Sequence, residues 1–381
     1  MVQKKLKILL TSTYFYPYLS GLTNYPLKLA VYWAKKYEVR VLTFQHDKKL
    51  SKEEAYMGFI IRRILVQFKI FKGLWNFFYP VYAWQELKKA DIVFVNLPQF
   101  EGFVTAFWGK VVRKKLIVVY HCELAFDSGF LAKTAGWAGN VSAFASCFLA
   151  DKIIAYTRDY AIHSRNVKKF LEKTEYILPP VILEKENTKY LDYLKKETAG
   201  YRPVLGFSGR IAREKAIEMI IEAVDRLKNK YPKALVLLAG PYGKEVAGEE
   251  SYFKYIRELI KEKRIKAIFL GKLDKNKLSA FYQVCDFIVL PSLNKTEAFG
   301  MVQAEAMLSG KAVIASDLPG VRQPIKLTGM GELFKKGDVG DLTNKIDLVY
   351  KNKNNYIKKV DKAKKVFNIK KCFDFYEKIL N

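Results

Sequence analysis

Short apolar runs alternate along this chain with longer stretches in which apolar residues recur every three or four positions, and the alternation is played through twice. In the first pass KILLTSTYF, EVRVLTF, DIVFVNLP, LIVVYH and KIIAYT read as strands. LKLAVYWAKK, FVTAFWGKVVRKK and a stretch ending at Ala150 read as the helices between them. The second pass has strands at PVLGFSG, ALVLLAG, AIFLG, CDFIVLP and KAVIAS. Its helices are AIEMIIEAVDRLKNK, YFKYIRELIKEK, KNKLSAFYQV and MVQAEAML. Apolar strands joined through amphipathic helices are the pattern of a parallel, doubly wound α/β sheet. The pattern predicts one such domain over residues 1–183, a Lys- and Glu-rich linker over 184–200, a second domain over 201–355 and a basic helical tail over 356–381. One large sheet is the other arrangement it allows.

Length agrees, because 381 residues exceed one ordinary core and two domains of about 150 to 200 residues are expected. The N-terminal MVQKKLKILLTSTYF passes from a basic start directly into a strand, with no Arg-flanked apolar leader. The uncharged stretch from Thr134 to Ala150 contains Gly, Asn and Ser and reads as a buried helix rather than a membrane span. Cys122, Cys147, Cys285 and Cys372 show no CxxC spacing, which predicts neither zinc nor a disulfide frame and fits a reducing cytoplasm. His46, His121 and His163 are far apart, so no metal centre is expected.

The net charge of +28 divides evenly, +14 on residues 1–180 and +14 on the rest. A nucleic-acid reader concentrates its charge on one element with interleaved aromatics, so no nucleic-acid partner is expected. An anionic membrane surface or an anionic substrate suits the excess.

Candidate chemistry gathers at two strand ends. Glu297 and Glu305 bracket a turn that leads from CDFIVLP into the helix opened by Gly300 and stopped by Gly310. A helix start offers unpaired N–H groups and a positive dipole end to phosphate, while carboxylates accept hydrogen bonds from sugar or ribose hydroxyls. Ala298-Phe299-Gly300 between them lets a ligand approach the backbone. At the end of VLGFSG stand Gly209, Arg210 and, five residues on, Lys215, a planar fork and a compact cation at a second strand-to-helix junction. Together these residues predict a sugar-nucleotide pocket.

GRIAREKAIEMIIEAV resembles the GR-x4-K-G motif of the family 4 glycosyltransferases, retaining enzymes of GT-B fold. The run from Cys285 to Val321 resembles their E-x7-E block with its DxPG turn. YFYPYLSGLTNY, ADKIIAYT and LPPV are similar to the family's first loop, late first-domain strand and crossing. The resemblance implies two Rossmann-like domains facing across a cleft, with the C-terminal helix returning to the first.

It also implies roles. Arg210 and Lys215 hold the donor diphosphate, and Glu297 binds sugar hydroxyls. The backbone of Ala298, Phe299, Gly300 and Met301 contacts sugar and phosphate, and Glu305 reaches the ribose. Gly21, like Gly209, lets the backbone approach the diphosphate. His121 lies near the sugar on the acceptor side. The implied catalytic set is Arg210, Lys215, Glu297 and His121. The implied reaction is metal- and cofactor-free front-face transfer with retention, from a nucleotide sugar to a sugar or lipid-linked acceptor. Ala216 and Ala298 depart from frequent glycines, Ser20 from the first of a frequent Gly-Gly pair, and Asn96 from a frequent histidine. These bear on donor identity.

Glu123 and Asp127, in HCELAFDSG, are candidates to bind the acceptor. The stretch FIIRRILVQFKIFKGLWNFFYPVYAW, with Trp75, Phe77, Phe78 and Trp84 among Arg and Lys, reads either as packed core or as a surface lying on an anionic membrane, in keeping with a peripheral place on its cytoplasmic face. A nucleotide-sugar epimerase of the same architecture and a nonenzymatic basic binding protein are the rival readings.

Overall fold

The computed structural model describes residues 5–18, 20–70, 73–124, 130–246, 248–294 and 296–380. The chain forms two compact units, Met1–Pro180 with Lys370–Asn381, and Val181–Ile369.

The first unit opens with β1 (Lys7–Thr11), helix α1 (Gly21–Trp33), β2 (Glu38–Phe44), β3 (Glu53–Tyr56) and β4 (Phe59–Ile64). A hairpin of β5 (Phe68–Ile70) and β6 (Gly73–Trp75) leads to α2 (Tyr79–Lys89), β7 (Ile92–Leu97) and α3 (Gly102–Val111). Then come β8 (Lys115–Tyr120), α4 (Phe130–Leu149), β9 (Lys152–Ala155), α5 (Arg158–His163) and β10 (Thr174–Tyr176). The sheet runs β10-β9-β8-β7-β1-β2-β4-β3 and is parallel apart from β3 on β4. β7 is buried along its whole length, which is why its sequence is a continuous apolar run rather than an alternating one. Ser20 caps α1 reciprocally with Thr23, whose backbone N–H donates to Ser20 Oγ while Ser20 N–H donates to Thr23 Oγ1. The aromatic stretch around residues 59–84 divides: β4 lies within the sheet, the hairpin follows, and α2 begins at Tyr79.

The second unit begins with α6 (Thr188–Glu197), in the stretch expected to be a linker. Tyr190, Leu191, Tyr193 and Leu194 form a stripe that the surrounding Lys and Glu conceal. Asn187 caps the helix, and Leu194 is fully buried. Then follow β11 (Val204–Ser208), α7 (Ile217–Leu227), β12 (Leu235–Ala239), α8 (Glu250–Lys263), β13 (Lys266–Gly271), α9 (Lys275–Val284) and β14 (Phe287–Leu290). α10 (Met301–Leu308), β15 (Ala312–Ser316), α11 (Gln323–Thr328), β16 (Gly331–Phe334), α12 (Val339–Lys351), α13 (Lys353–Ile357) and α14 (Val360–Val366) complete it. All six strands are parallel, in the order β13-β12-β11-β14-β15-β16. Ile217, Ile220, Ile221 and Val224 put one face of α7 into the core, as their helical spacing requires.

The tail crosses to the first unit later than its composition suggests. Residues 356–369 stay with the second unit, where the Tyr356 hydroxyl donates to Glu332 at 2.9 Å and Phe367 meets Phe299 edge-on. Only α15 (Ile369–Leu380) carries the chain to the first unit. There Tyr376 is fully buried, its hydroxyl 2.7 Å from that of Tyr25, and Phe373 stacks on Tyr32.

Both sheets reverse their strand order once, between β1 and β7 and between β11 and β14. In open α/β sheets ligands bind beyond the carboxyl ends of the strands at such a reversal.

Candidate functional site

At the reversal in the second unit, two loops leave adjacent strands. From β11 the chain passes Gly209, at φ +153°, to Arg210 and a short turn over Arg213–Lys215. Ala216 then sits in left-handed backbone, φ +48°, and starts α7. This is the position of the glycine that the sequence motif lacks, and alanine holds it in an uncommon conformation. From β14 the chain runs through Glu297 to Gly300, at φ +73°. A Cβ there would lie 2.5 Å from Leu290 Cδ2 and 2.7 Å from Gln303 Nε2, so the turn into α10 admits only glycine.

The loops are tied together. Leu293 N–H donates to the Glu214 carbonyl at 3.0 Å, and the Lys215 ammonium is ion-paired with the Glu297 carboxylate. Both partners are largely shielded, with 13% and 19% of their side-chain surface exposed, so this pair escapes much of the screening that weakens surface pairs. Arg210 is more open and donates from Nη2 to Glu214 at 2.6 Å. Ala298, Phe299 and Gly300 are buried, and among the described residues no side chain caps α10, so its leading N–H groups keep their dipole toward the loop.

Glu305 is held from behind. Tyr282, buried on α9, donates its hydroxyl to Glu305 Oε2 at 2.8 Å. Burial and the adjacent Glu305 charge push the Tyr282 pKa well above its usual range, which keeps it a donor. Gln303, fully buried, donates to the carbonyls of Phe299 and Val321 at 3.0 and 2.8 Å and fixes the first turn of α10. Tyr282, Gln303 and Gly240, which follows β12 at φ +142° with the Gly209 carbonyl where a Cβ would stand, were not flagged by the sequence. Of these only Gly240, a glycine closing an apolar strand, leaves a trace there.

The first unit places its candidates differently. Gly21 is the exposed first residue of α1, beyond the carboxyl end of β1. His121 directly follows β8 but is buried, with Nε2 3.0 Å from Asn96 Oδ1 and Nδ1 2.6 Å from the Tyr156 hydroxyl. Asn96 spends its amide N–H on the Thr11 carbonyl, so its oxygen accepts from Nε2–H and Nδ1 accepts from Tyr156. Burial pushes the His121 pKa down to about 3, so the ring is neutral at physiological pH and both nitrogens are engaged inside the protein. Asn96 is therefore the partner of His121. Glu123 accepts from the Arg165 backbone N–H at 2.5 Å and its own N–H donates to the Tyr160 hydroxyl, which makes it a brace for the turn after α5. Asp127 lies outside the described residues.

A carboxylate that the sequence did not single out sits in this region. Glu101, buried at the start of α3, accepts from Thr13 Oγ1 at 2.7 Å, and burial pushes its pKa up from 4.5 to about 7. The folded state thus keeps a proton that the unfolded chain has lost between these values. The stability this gives is full below pH 4.5 and disappears as pH rises through 7. Glu101→Gln is expected to be near neutral at pH 4.5 and to gain on wild type by on the order of 2 to 3 kcal/mol at pH 8. Chemical denaturation across that range measures it; parallel curves for the two proteins would refute the assignment.

Comparison with known proteins adds the following. Residues 19–185 match the model described as Glycosyltransferase Family 4, and residues 193–366 match that of Glycosyl transferases group 1. An uncharacterised glycosyltransferase of Methanocaldococcus jannaschii is 24% identical over 90% of this chain and 87% of its own length. The lipopolysaccharide 1,2-N-acetylglucosaminetransferase of Salmonella typhimurium is 32% identical over 121 residues, 32% of each chain. The D-inositol 3-phosphate glycosyltransferase of Stackebrandtia nassauensis is 30% identical over 38% of this chain and 33% of its own. The aligned segment thus spans about a third of the length of these last two relatives. Among solved structures, Anabaena HepE in complex with UDP-glucose superposes with a TM-score of 0.78 at 19% identity, covering 98% of this chain and 99% of that one. Sucrose-phosphate synthase from Thermosynechococcus elongatus gives 0.77 at 18%, covering 98% and 99%. At these identities the likeness is one of fold.

Proposed function

We propose that this chain, which belongs to the family 4 glycosyltransferases of GT-B fold, moves a sugar from a nucleotide-diphosphate sugar to a sugar or lipid-linked acceptor with retention of anomeric configuration. One observation carries the reading: the Lys215–Glu297 pair, formed across the carboxyl ends of adjacent strands β11 and β14 beside the start of α10. It brings a cation for phosphate and a carboxylate for sugar hydroxyls to one place, at the strand-order reversal where ligands bind.

In this reading Arg210, Lys215 and the leading N–H groups of α10 take the diphosphate. Glu297 and the backbone of Ala298 to Met301 take the sugar, and Glu305, steadied by Tyr282, takes the ribose. As the C1–O bond to phosphate breaks, charge grows on the leaving oxygen, where fixed cations and N–H groups stabilise it most. The acceptor hydroxyl attacks C1 from the same face and passes its proton to that oxygen. Two carboxylates flanking the bond about 5 Å apart, as in double displacement, are not needed. The positive charge is supplied by side chains, so transfer is metal-independent in this reading. His121, neutral and doubly hydrogen-bonded, acts by positioning rather than proton transfer.

A thermal-shift panel of nucleotide sugars is the first test, with UDP-sugars at its head because Anabaena HepE binds UDP-glucose. Stabilisation by one nucleotide family is expected, RT ln(1 + [L]/Kd), about 2.7 kcal/mol at a hundredfold excess over Kd. Product analysis then decides between classes. Sugar appearing on an acceptor in unchanged anomeric form, insensitive to EDTA, supports transfer. Donor converted to its epimer without an acceptor makes the chain an epimerase. No response to any nucleotide sugar ends the reading.

A further inference from the structure

The surface of the first unit carries apolar stripes that the donor site does not explain. Helices α2, α3 and α4 lie side by side on one face of the sheet, as right-handed crossovers require. Each turns its small or buried residues inward. On α3 the residues left outside are Phe103, Phe107 and Val111, spaced by four. On α4 they are Trp137, Val141, Phe144 and Phe148, with Trp137 at 68% and Phe148 at 64% exposure. Phe77 and Phe78, just ahead of α2, are 76% and 60% exposed. Trp84 of α2 and Trp108 of α3 meet edge-to-face at 4.9 Å and join these patches. The residues repeat at helical spacing on the wrong side for a core, so they form an unburied apolar stripe.

The charges around it are mostly basic: Asp151, just past α4, is ion-paired with Lys110, and Glu172 stands beside Lys173. Neither α3 nor α4 contains an Asp or Glu; their charged residues are Lys110 and Lys133. The acid of α2, Glu86, is buried among Arg40, Arg62 and Lys89. At the borders Lys88 lies 4.9 Å from the Trp84 ring and Lys169 5.9 Å from that of Phe144. A second copy docking here would set one net excess of lysines against another. An anionic bilayer accepts both components, aromatic rings at the depth of the headgroups and lysines reaching lipid phosphates. No described helix is long and apolar enough to cross a membrane, so the contact is with the surface.

We propose that the outward face of α3 and α4, with the residues leading into α2, is a docking surface for an anionic lipid bilayer. This goes beyond the donor reading and does not rest on it. The sequence pointed to residues 59–84 for such a role. The structure keeps the later part of that stretch at the surface, Phe68 and Ile70 of the hairpin with Phe77 and Phe78, and adds two helices, of which α4 read as interior.

The test is co-sedimentation of the full chain with phosphatidylcholine vesicles, with and without phosphatidylglycerol. Binding is expected to the anionic vesicles, at least about tenfold stronger than to neutral ones and falling with salt. The triple variant Phe107→Ser, Trp137→Ser, Phe148→Ser is expected to lose at least about tenfold in partitioning while its thermal shift with nucleotide sugars is unchanged. Lys133→Glu with Lys169→Glu, which leaves the rings in place, should abolish the preference for anionic lipid. The proposal is overturned if the wild type ignores both vesicle types, or if the triple variant binds like wild type. It is also overturned if sedimentation shows a concentration-dependent dimer that the triple variant disperses, which would make the face a self-association surface.

Discussion

Replacing Arg210 or Lys215 by alanine is expected to lower turnover by two to three orders of magnitude, with a smaller effect on acceptor KM. The figure follows from removing one donor aimed at charge that develops in the transition state, about 3 to 4 kcal/mol. The two variants should differ in how they fail. Arg210 is partly exposed and, among the described residues, bonded to Glu214 four positions on, so Arg210→Ala leaves the fold intact and reports on chemistry. Arg210→Lys keeps the charge but loses the planar fork and should recover part of the rate. Lys215 is shielded and paired with Glu297, so Lys215→Ala also leaves a carboxylate without its cation. Donor affinity should then drop along with turnover, and Lys215→Ala, Glu297→Gln should fall by less than the sum of the single losses. Steady-state kinetics with measured donor binding separate these effects. Activity of both single variants within tenfold of wild type would remove Arg210 and Lys215 from the reaction.

Gly240→Ala should be among the most destabilising single substitutions in the second unit. Gly240 follows β12 at φ +142°, and a Cβ on it would lie 1.9 Å from the carbonyl oxygen of Gly209. Backbone strain and the forced separation of the two strand ends together cost about 3 to 5 kcal/mol. Gly209 is the residue before Arg210, so the same displacement moves the Arg210 loop and should weaken nucleotide-sugar binding. Gly200→Ala is the control. Its φ is also positive, +77°, but nothing lies within 4 Å of the new methyl, so only the conformational term of about 1 kcal/mol remains. Thermal unfolding of the pair checks this. Equal midpoints for the two variants would show that the strand ends separate at no cost.

The parallel core was legible because strands buried on both faces must be apolar throughout. IVFVNL of β7 and LVLLA of β12 therefore announce themselves in one sequence. Arg210, Lys215 and Glu297 stood out because they follow strands, where polar residues leave a core pattern, and Glu305 because it lies eight residues on from Glu297 in the helix that Gly300 opens. The residues that steady them were not. The Tyr282 hydroxyl meets Glu305 across the fold, 23 positions away in sequence, and KNKLSAFYQV looks like an ordinary amphipathic helix. His121 carries the chemistry of a catalytic residue in its side chain but the environment of a core residue, and burial is a property of the fold rather than of the local sequence. α6 was hidden for the opposite reason, because charged residues at half of its ten positions mask Leu194, the residue buried at its anchor. The outward rings of α3 and α4 could not be told from inward ones, since periodicity gives a stripe but not its direction.

The path of α15 has a consequence for biogenesis. Tyr376 packs against Trp33, Phe94 and Tyr25, residues made hundreds of codons earlier, and Lys115 donates to the carbonyl of Ile379 at 2.5 Å. In connectivity the second unit is an insertion within the first. The lobe translated first therefore waits with an unfilled aromatic socket until α15 leaves the ribosome, while the inserted lobe already has its whole sequence.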